Sequence, residues 1–212
     1  MTRVVSRFPL LPMSLGIERY LTVHTYGEPD IRPKAYLQAG MHAGELPGVL
    51  TLHHLIRMLD AGEDDLLGQI TIVPVANPIG QSQIVLGTLH GRFGLQDGVN
   101  FNRDFPDLAA EVGDAVAGRL GPDADGNVAV IREALLDALA LHASEAETEA
   151  EYLKLTLLRL SADADIALDL HCDDEALKHL FMAQHTWPAG GDVAADLGMP
   201  VTLLSDDSGG NP

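Results

Sequence analysis

Cys172 is the chain's one cysteine, which excludes an intrachain disulfide framework. Cations are scarce: 13 Lys and Arg stand against 31 Asp and Glu, a formal net charge of −18. Nucleic acid and anionic membrane surfaces both require a positive face, so this balance argues against either as a partner. No apolar run approaches the ~20 residues of a membrane helix. The N-terminal stretch is too short in its apolar part, and too broken by proline, to read as a secretory signal. The expected location is therefore cytoplasmic. Internal repeats are missing as well. What remains is an ordinary folded composition, 46% hydrophobic over 212 residues, enough for one α/β domain with or without an excursion.

The charge is unevenly placed. Residues 1–106 carry 8 basic and 10 acidic side chains, whereas residues 107–212 carry 5 and 21. Hydrophobic periodicity predicts strands at Ile17–Thr25, Lys34–Met41, Gln69–Ala76, Ile166–His171, His179–Ala183 and Pro200–Leu204. Helices are predicted at Leu46–Leu59, with Pro47 in its first turn, at Ala129–Leu141, and at Ser144–Leu160, where Ser144 and Glu147 have capping-box spacing. The glycine-rich stretch 80–99 reads as a long loop, and Trp187-Pro188 as loop packing. Strands separated by helices imply an α/β sheet with a substantial parallel part. Residues 107–165 read as a mostly helical acidic insertion, whose 13 acidic and 4 basic side chains form a solvated helix face.

His42-Ala43-Gly44-Glu45 follows a predicted strand and precedes a predicted helix, where open α/β sheets form ligand sites. A His and a Glu three residues apart in a tight turn can converge on one metal ion. Zinc accepts two imidazoles and one carboxylate readily. His171, ending another predicted strand, is the candidate third ligand. The plainer alternative is two ordinary turn residues and a core histidine. Asn102-Arg103, flanked by aromatics, suits recognition of a carboxylate, since arginine offers a planar fork and asparagine a neutral donor. A surface turn with an Arg103–Asp104 ion pair is the alternative. Asp169 shares a strand face with His171 and is a candidate for orienting it. Cys172 reads as a small core residue, and His53-His54 as helix surface. Asp173, Asp174 and Glu175 read as a solvated turn, with a second metal site or substrate contact as the alternative.

The order HAGE, then NFNRDFP, then DLH resembles the zinc carboxypeptidase superfamily. The compact HAGE turn and the segment LHCDDEALKHLF resemble its succinylglutamate desuccinylase/aspartoacylase branch. The resemblance implies a mixed, mainly parallel sheet flanked by helices, and a single zinc-hydrolase domain over residues 1–212. It implies one Zn²⁺ held by His42, Glu45 and His171, a substrate carboxylate held by Asn102 and Arg103, and Arg92 polarising the scissile carbonyl. The implied activity is amide hydrolysis in a small carboxylate-bearing substrate, of the N-acyl amino acid deacylase type. A metallocarboxypeptidase is the alternative, and a non-catalytic metal- or carboxylate-binding domain a second one. The family's general base is a late glutamate with no counterpart before Pro212. The expectation is thus an N-terminal fragment that lacks its last strands and the base. Oligomeric state is not legible.

Overall fold

The computed structural model describes residues 3–62, 66–172 and 175–206. These form two compact units, one within Met1–Asn102 and Pro106–Cys172, the other within Arg103–Phe105 and Asp173–Pro212.

The larger unit opens with β1 (Val4–Pro9), β2 (Tyr20–Tyr26) and β3 (Lys34–Ala39), followed by α1 (Leu46–Ala61) and β4 (Gln69–Val73). Next come α2 (Pro78–Gln81) and a small hairpin of β5 (Ile84–Val85) and β6 (Thr88–Leu89). The helices α3 (Ala109–Val116), α4 (Ala124–Glu145) and α5 (Glu149–Ala162) lead into β7 (Ile166–Leu170). The sheet order is β1-β2-β4-β3-β7. β2 is antiparallel to both neighbours, while β3 is parallel to β4 and to β7. Four of the five strands therefore run one way, which makes the sheet mixed and mainly parallel as expected. Alternation explains the inner strands: Leu21 and Val23 of β2, and Tyr36 of β3, turn into the core. The parallel centre packs Tyr26, Ala39, Leu52, Ile56 and Ile72 together. Gly48 lets α1 lie close on the sheet, because a Cβ there would meet Leu170 and Ala39 at 3.0–3.2 Å.

Three local expectations fail. The stretch 80–99 is not an unbroken loop. Leu86 and Gly87 take positive φ, the geometry of a two-residue hairpin turn, and close β5 on β6. Ser144 does not start a helix: it lies in the last turn of α4 and its hydroxyl donates to the Leu141 carbonyl. The cap is Thr148, whose Oγ1 accepts from the Glu151 N–H at 3.1 Å. The same serine/threonine-to-glutamate spacing occurs twice, and burial of Ala150, Leu153 and Leu157 selects the second. Trp187-Pro188 opens a helix, with the proline in its first turn.

The helices over 107–165 carry their own core of Leu108, Val112, Val116, Ala134, Ala138, Leu139 and Leu155. Their acidic residues are exposed except Asp163 and Glu149. Glu149 is 2% exposed and pairs with Arg19 at 2.8 Å, which ties α5 to the strand side of the unit. A second tie is Asp165. It accepts from the Lys34 N–H at 2.8 Å, Arg32 at 2.6 Å and Arg132 at 2.9 Å.

The smaller unit contains β8 (His179–Ala183), α6 (Trp187–Asp196) and β9 (Val201–Ser205), with β8 and β9 paired in parallel from His179↔Val201 to Ala183↔Ser205. Among the described residues, no helix is long and apolar enough to cross a membrane.

Burial pushes the Asp165 carboxyl up, but the Lys34 N–H and the Arg32 and Arg132 guanidinium groups outweigh it and hold it below its ordinary 3.8. A depressed carboxyl stabilises the fold fully above that ordinary value, and the contribution is lost as pH falls through the lowered one. Asp165→Asn is therefore expected to cost on the order of 1 kcal/mol near neutral pH, about 2–4 °C in Tm. The difference from wild type should narrow steadily below pH 4 in thermal melts. A gap that stays constant into acid would show that the charge does not matter.

Candidate metal centre

β3 ends at Ala39, and Gly40 turns the chain at φ +72°. Met41, His42 and Ala43 are buried in the turn that follows. The Glu45 N–H returns to the His42 carbonyl at 2.9 Å, and α1 begins one residue later. Glu45 stands at the N-cap position but makes no side-chain capping bond; its carboxylate turns to the imidazoles instead. β7 pairs with β3 so that Leu170 faces Ala39. The parallel register therefore delivers His171 to the same sheet edge as the His42 turn.

His42 Nδ1 lies 3.0 Å from Glu45 Oε1, and His171 Nδ1 lies 2.9 Å from Glu45 Oε2. The two rings meet edge-on with centroids 5.3 Å apart. Candidate ligand atoms on His42, Glu45 and His171 all lie within 4.8 Å of one another. Asp169 Oδ2 is 2.8 Å from His171 Nε2, so the far nitrogen of that ring is held while Nδ1 faces Glu45. The Cys172 N–H donates to Glu45 Oε2 at 3.0 Å, and Arg92 Nη2 stands 3.5 Å from Oε1. Asn102, 8% exposed, places Nδ2 3.4 Å from His171 Nε2.

The electrostatics follow from these contacts. Burial, and then the Arg92 charge, push the His42 imidazole below its ordinary value, which keeps it neutral. Burial pushes Glu45 up, but the Cys172 N–H and the imidazoles outweigh it and leave the carboxyl low and ionised. The Asp169 hydrogen bond lifts His171 to about 9 against the cost of burial.

Two imidazoles turned by the same nitrogen to one ionised carboxylate make an N₂O donor set that suits a divalent transition metal. The Nε2 atom of His42 is buried and has no hydrogen-bond partner among the described residues. It lies across the ring from Nδ1, so the fit to an ion rests on the three convergent donors. The residues present can hold a metal.

His42, Glu45, His171, Asp169, Asn102 and Arg92 thus come together within the larger unit. Arg103 falls in the smaller unit. Asp173 and Asp174 lie outside the described residues, as does 207–212; Glu175 is exposed, as are His53 and His54. The contribution of Cys172 is its backbone N–H, which no side-chain pattern reveals.

Residues 31–121 match the family model of the succinylglutamate desuccinylase/aspartoacylase catalytic domain, a stretch that includes the His42 turn, Arg92, Asn102 and Arg103. No curated protein sequence matches. A solved structure of a candidate succinylglutamate desuccinylase/aspartoacylase from Shewanella frigidimarina NCIMB 400 superposes with a TM-score of 0.84 at 25% identity, covering 99% of this chain and 56% of that one. A family protein from Shewanella amazonensis SB2B gives 0.83 at 28% identity, covering 100% and 56%. An aspartoacylase family protein from Mesorhizobium loti shares the fold, at 0.63 and 18% identity. The chain spans about half the length of these solved structures.

Removing the outer support of a ligand imidazole typically weakens metal binding about 10–100-fold. Asp169→Ala is expected to do so with the fold intact, read by competition against a chromophoric chelator. Unchanged affinity would show that Asp169 does not orient His171.

Proposed function

From the succinylglutamate desuccinylase/aspartoacylase branch of the zinc carboxypeptidase-like superfamily, which the comparisons support, we propose that this protein is a zinc-dependent hydrolase. It cleaves an amide bond in a small carboxylate-bearing substrate, as an N-acyl amino acid deacylase does. Glu45 held between the Nδ1 atoms of His42 and His171 at the carboxyl edge of the sheet carries this reading. In it, residues 1–212 belong to one zinc-hydrolase domain, 107–165 is an insertion, and the location is cytoplasmic.

His42, Glu45 and His171 would hold one Zn²⁺, which when bound supplies a Lewis acid for the carbonyl and lowers the pKa of water. Asp169 keeps the proton on His171 Nε2, leaving Nδ1 to face inward. The Arg92 guanidinium, 54% exposed, is free enough to meet charge that develops on a carbonyl oxygen, where fixed positive charge contributes most. The resemblance assigns the substrate carboxylate to Asn102 and Arg103, where binding would orient the scissile bond.

The test uses purified full-length protein. Wild type is expected to retain about one zinc per chain and to hydrolyse N-acyl amino acids, whereas His42→Ala loses the metal. Arg92→Ala should keep the zinc and lose about 10²–10³-fold in kcat, the usual effect of deleting an oxyanion donor. Arg103→Ala should mainly raise KM. Cleavage confined to peptides with a free C-terminus would replace the deacylase by a carboxypeptidase, and zinc without turnover would leave a binding domain.

A further inference from the structure

The segment that follows β4 makes two sets of contacts that the chemistry above does not use. Asn77 is fully buried. Its Oδ1 accepts the Gly80 N–H at 2.8 Å and so caps α2, while its Nδ2 donates to the Met41 carbonyl at 2.9 Å, one residue before His42. Gln81 Nε2 donates to the Ala43 carbonyl at 2.6 Å. The Ala43 N–H in turn donates to the Gly91 carbonyl at 3.1 Å. The peptide groups on both sides of His42 are therefore anchored from α2 and from the 90–95 loop.

Gln83 works on that loop. Its Nε2 donates to the carbonyls of His90 and Phe93, its Oε1 accepts the Leu95 N–H at 2.9 Å, and its own carbonyl accepts the His90 N–H at 2.8 Å. These partners bracket Arg92 on both sides. Close packing joins the two arms: a Cβ on Gly91 would lie 2.5 Å from the Ala43 Cβ, and one on Gly80 would lie 2.8 Å from the Gly91 carbonyl oxygen.

Within the metal-site turn, Gly44 has nothing nearer to a virtual Cβ than Leu89, at 4.0 Å. Gly44 itself is thus not wedged, although Ala43 beside it is buried against Gly91 and the Glu45 N–H bonds the His42 carbonyl. The outside bonds to Met41 and Ala43 add to these ties, since a site holds its ligands only as well as its supporting shell is fixed.

We propose that Gln81 and Gln83 are positioning residues with different weights: Gln81, bonded directly to the His42–Glu45 turn, sets metal affinity, and Gln83, which reaches that turn only through the Arg92 loop, acts mainly on turnover. The proposal rests on the reading that His42, Glu45 and His171 hold a metal.

The experiment measures zinc affinity by chelator competition, and the visible absorption of the Co²⁺-loaded protein, for wild type, Gln81→Met and Gln83→Met. Methionine keeps the length of the arm and removes its hydrogen bonds. Gln81→Met is expected to bind zinc about 10-fold more weakly and to shift the Co²⁺ bands, with unchanged near-ultraviolet circular dichroism of the metal-free protein. Gln83→Met should change both metal readouts less than Gln81→Met does and lose kcat in the deacylation assay. If Gln81→Met does not fold, Gln81→Asn, which keeps the amide and shortens the arm, is read the same way. Equal zinc affinity and an unshifted Co²⁺ spectrum in the Gln81 variant would overturn the proposal, as would equal weakening in both variants. A wild type that binds no zinc would overturn the metal reading itself, and the proposal with it.

Discussion

The arrangement of the larger unit turns on where one negative charge is placed. The Glu45 carboxylate is 14% exposed and receives His42, His171, the Cys172 N–H and, at longer range, Arg92. These partners come from the turn after β3, the end of β7 and the loop after the hairpin. A carboxylate this buried is unfavourable unless its oxygens are satisfied, so the three segments must arrive together. The parallel pairing of β3 with β7 delivers one partner. The close approach of α1 that Gly48 permits sets Glu45 itself, because the helix starts one residue after it.

β3 consequently has two ends of different character. At its first residue, Lys34 donates through its N–H to Asp165 and through Nζ to Asp163, and Arg32 and Arg132 complete an ion-pair network. At its other end lie Gly40 and His42. With about 3.3 Å of rise per residue, the two ends of the strand stand on the order of 16 Å apart. Charges that fasten the helices of 107–165 are kept away from charges that could do chemistry. The network also gives that acidic stretch an anchor other than its apolar core, and buried Glu149 with Arg19 gives a second.

Much of this was legible before any coordinates. β8 has the bounds its alternation predicts, and β3, β4 and α1 start where their patterns start. The His42 turn and His171 were legible because each lies at the end of a strand with strong periodicity, and a parallel sheet brings such ends to one edge. β1, α3 and α6 were not. The first is an edge strand with mostly exposed side chains, and the two helices are short, so tertiary packing decides them more than local pattern. The capping box lies four residues beyond Ser144, at Thr148, because its spacing occurs twice and only burial distinguishes the copies. Gln81, Gln83 and the Cys172 N–H were invisible for a different reason. Each of these contacts has a backbone group on one side, and a backbone group leaves no mark on the sequence.

The net charge of −18 says little about what the sheet edge can bind. Eleven of the thirteen acidic side chains in 107–165 are exposed, and exposed charges are screened beyond about 8 Å at physiological ionic strength. Glu45, 14% exposed, is shielded more, so its effect on the imidazoles beside it survives at close range. A substrate carboxylate that reached the sheet edge would meet the local field of Arg92, a neutral His42 and whatever ion the donors hold, not the average of the whole chain. The same logic applies to Glu45: its charge gathers the donors, and the His171 imidazole, raised to about 9, and Arg92 offset it at close range.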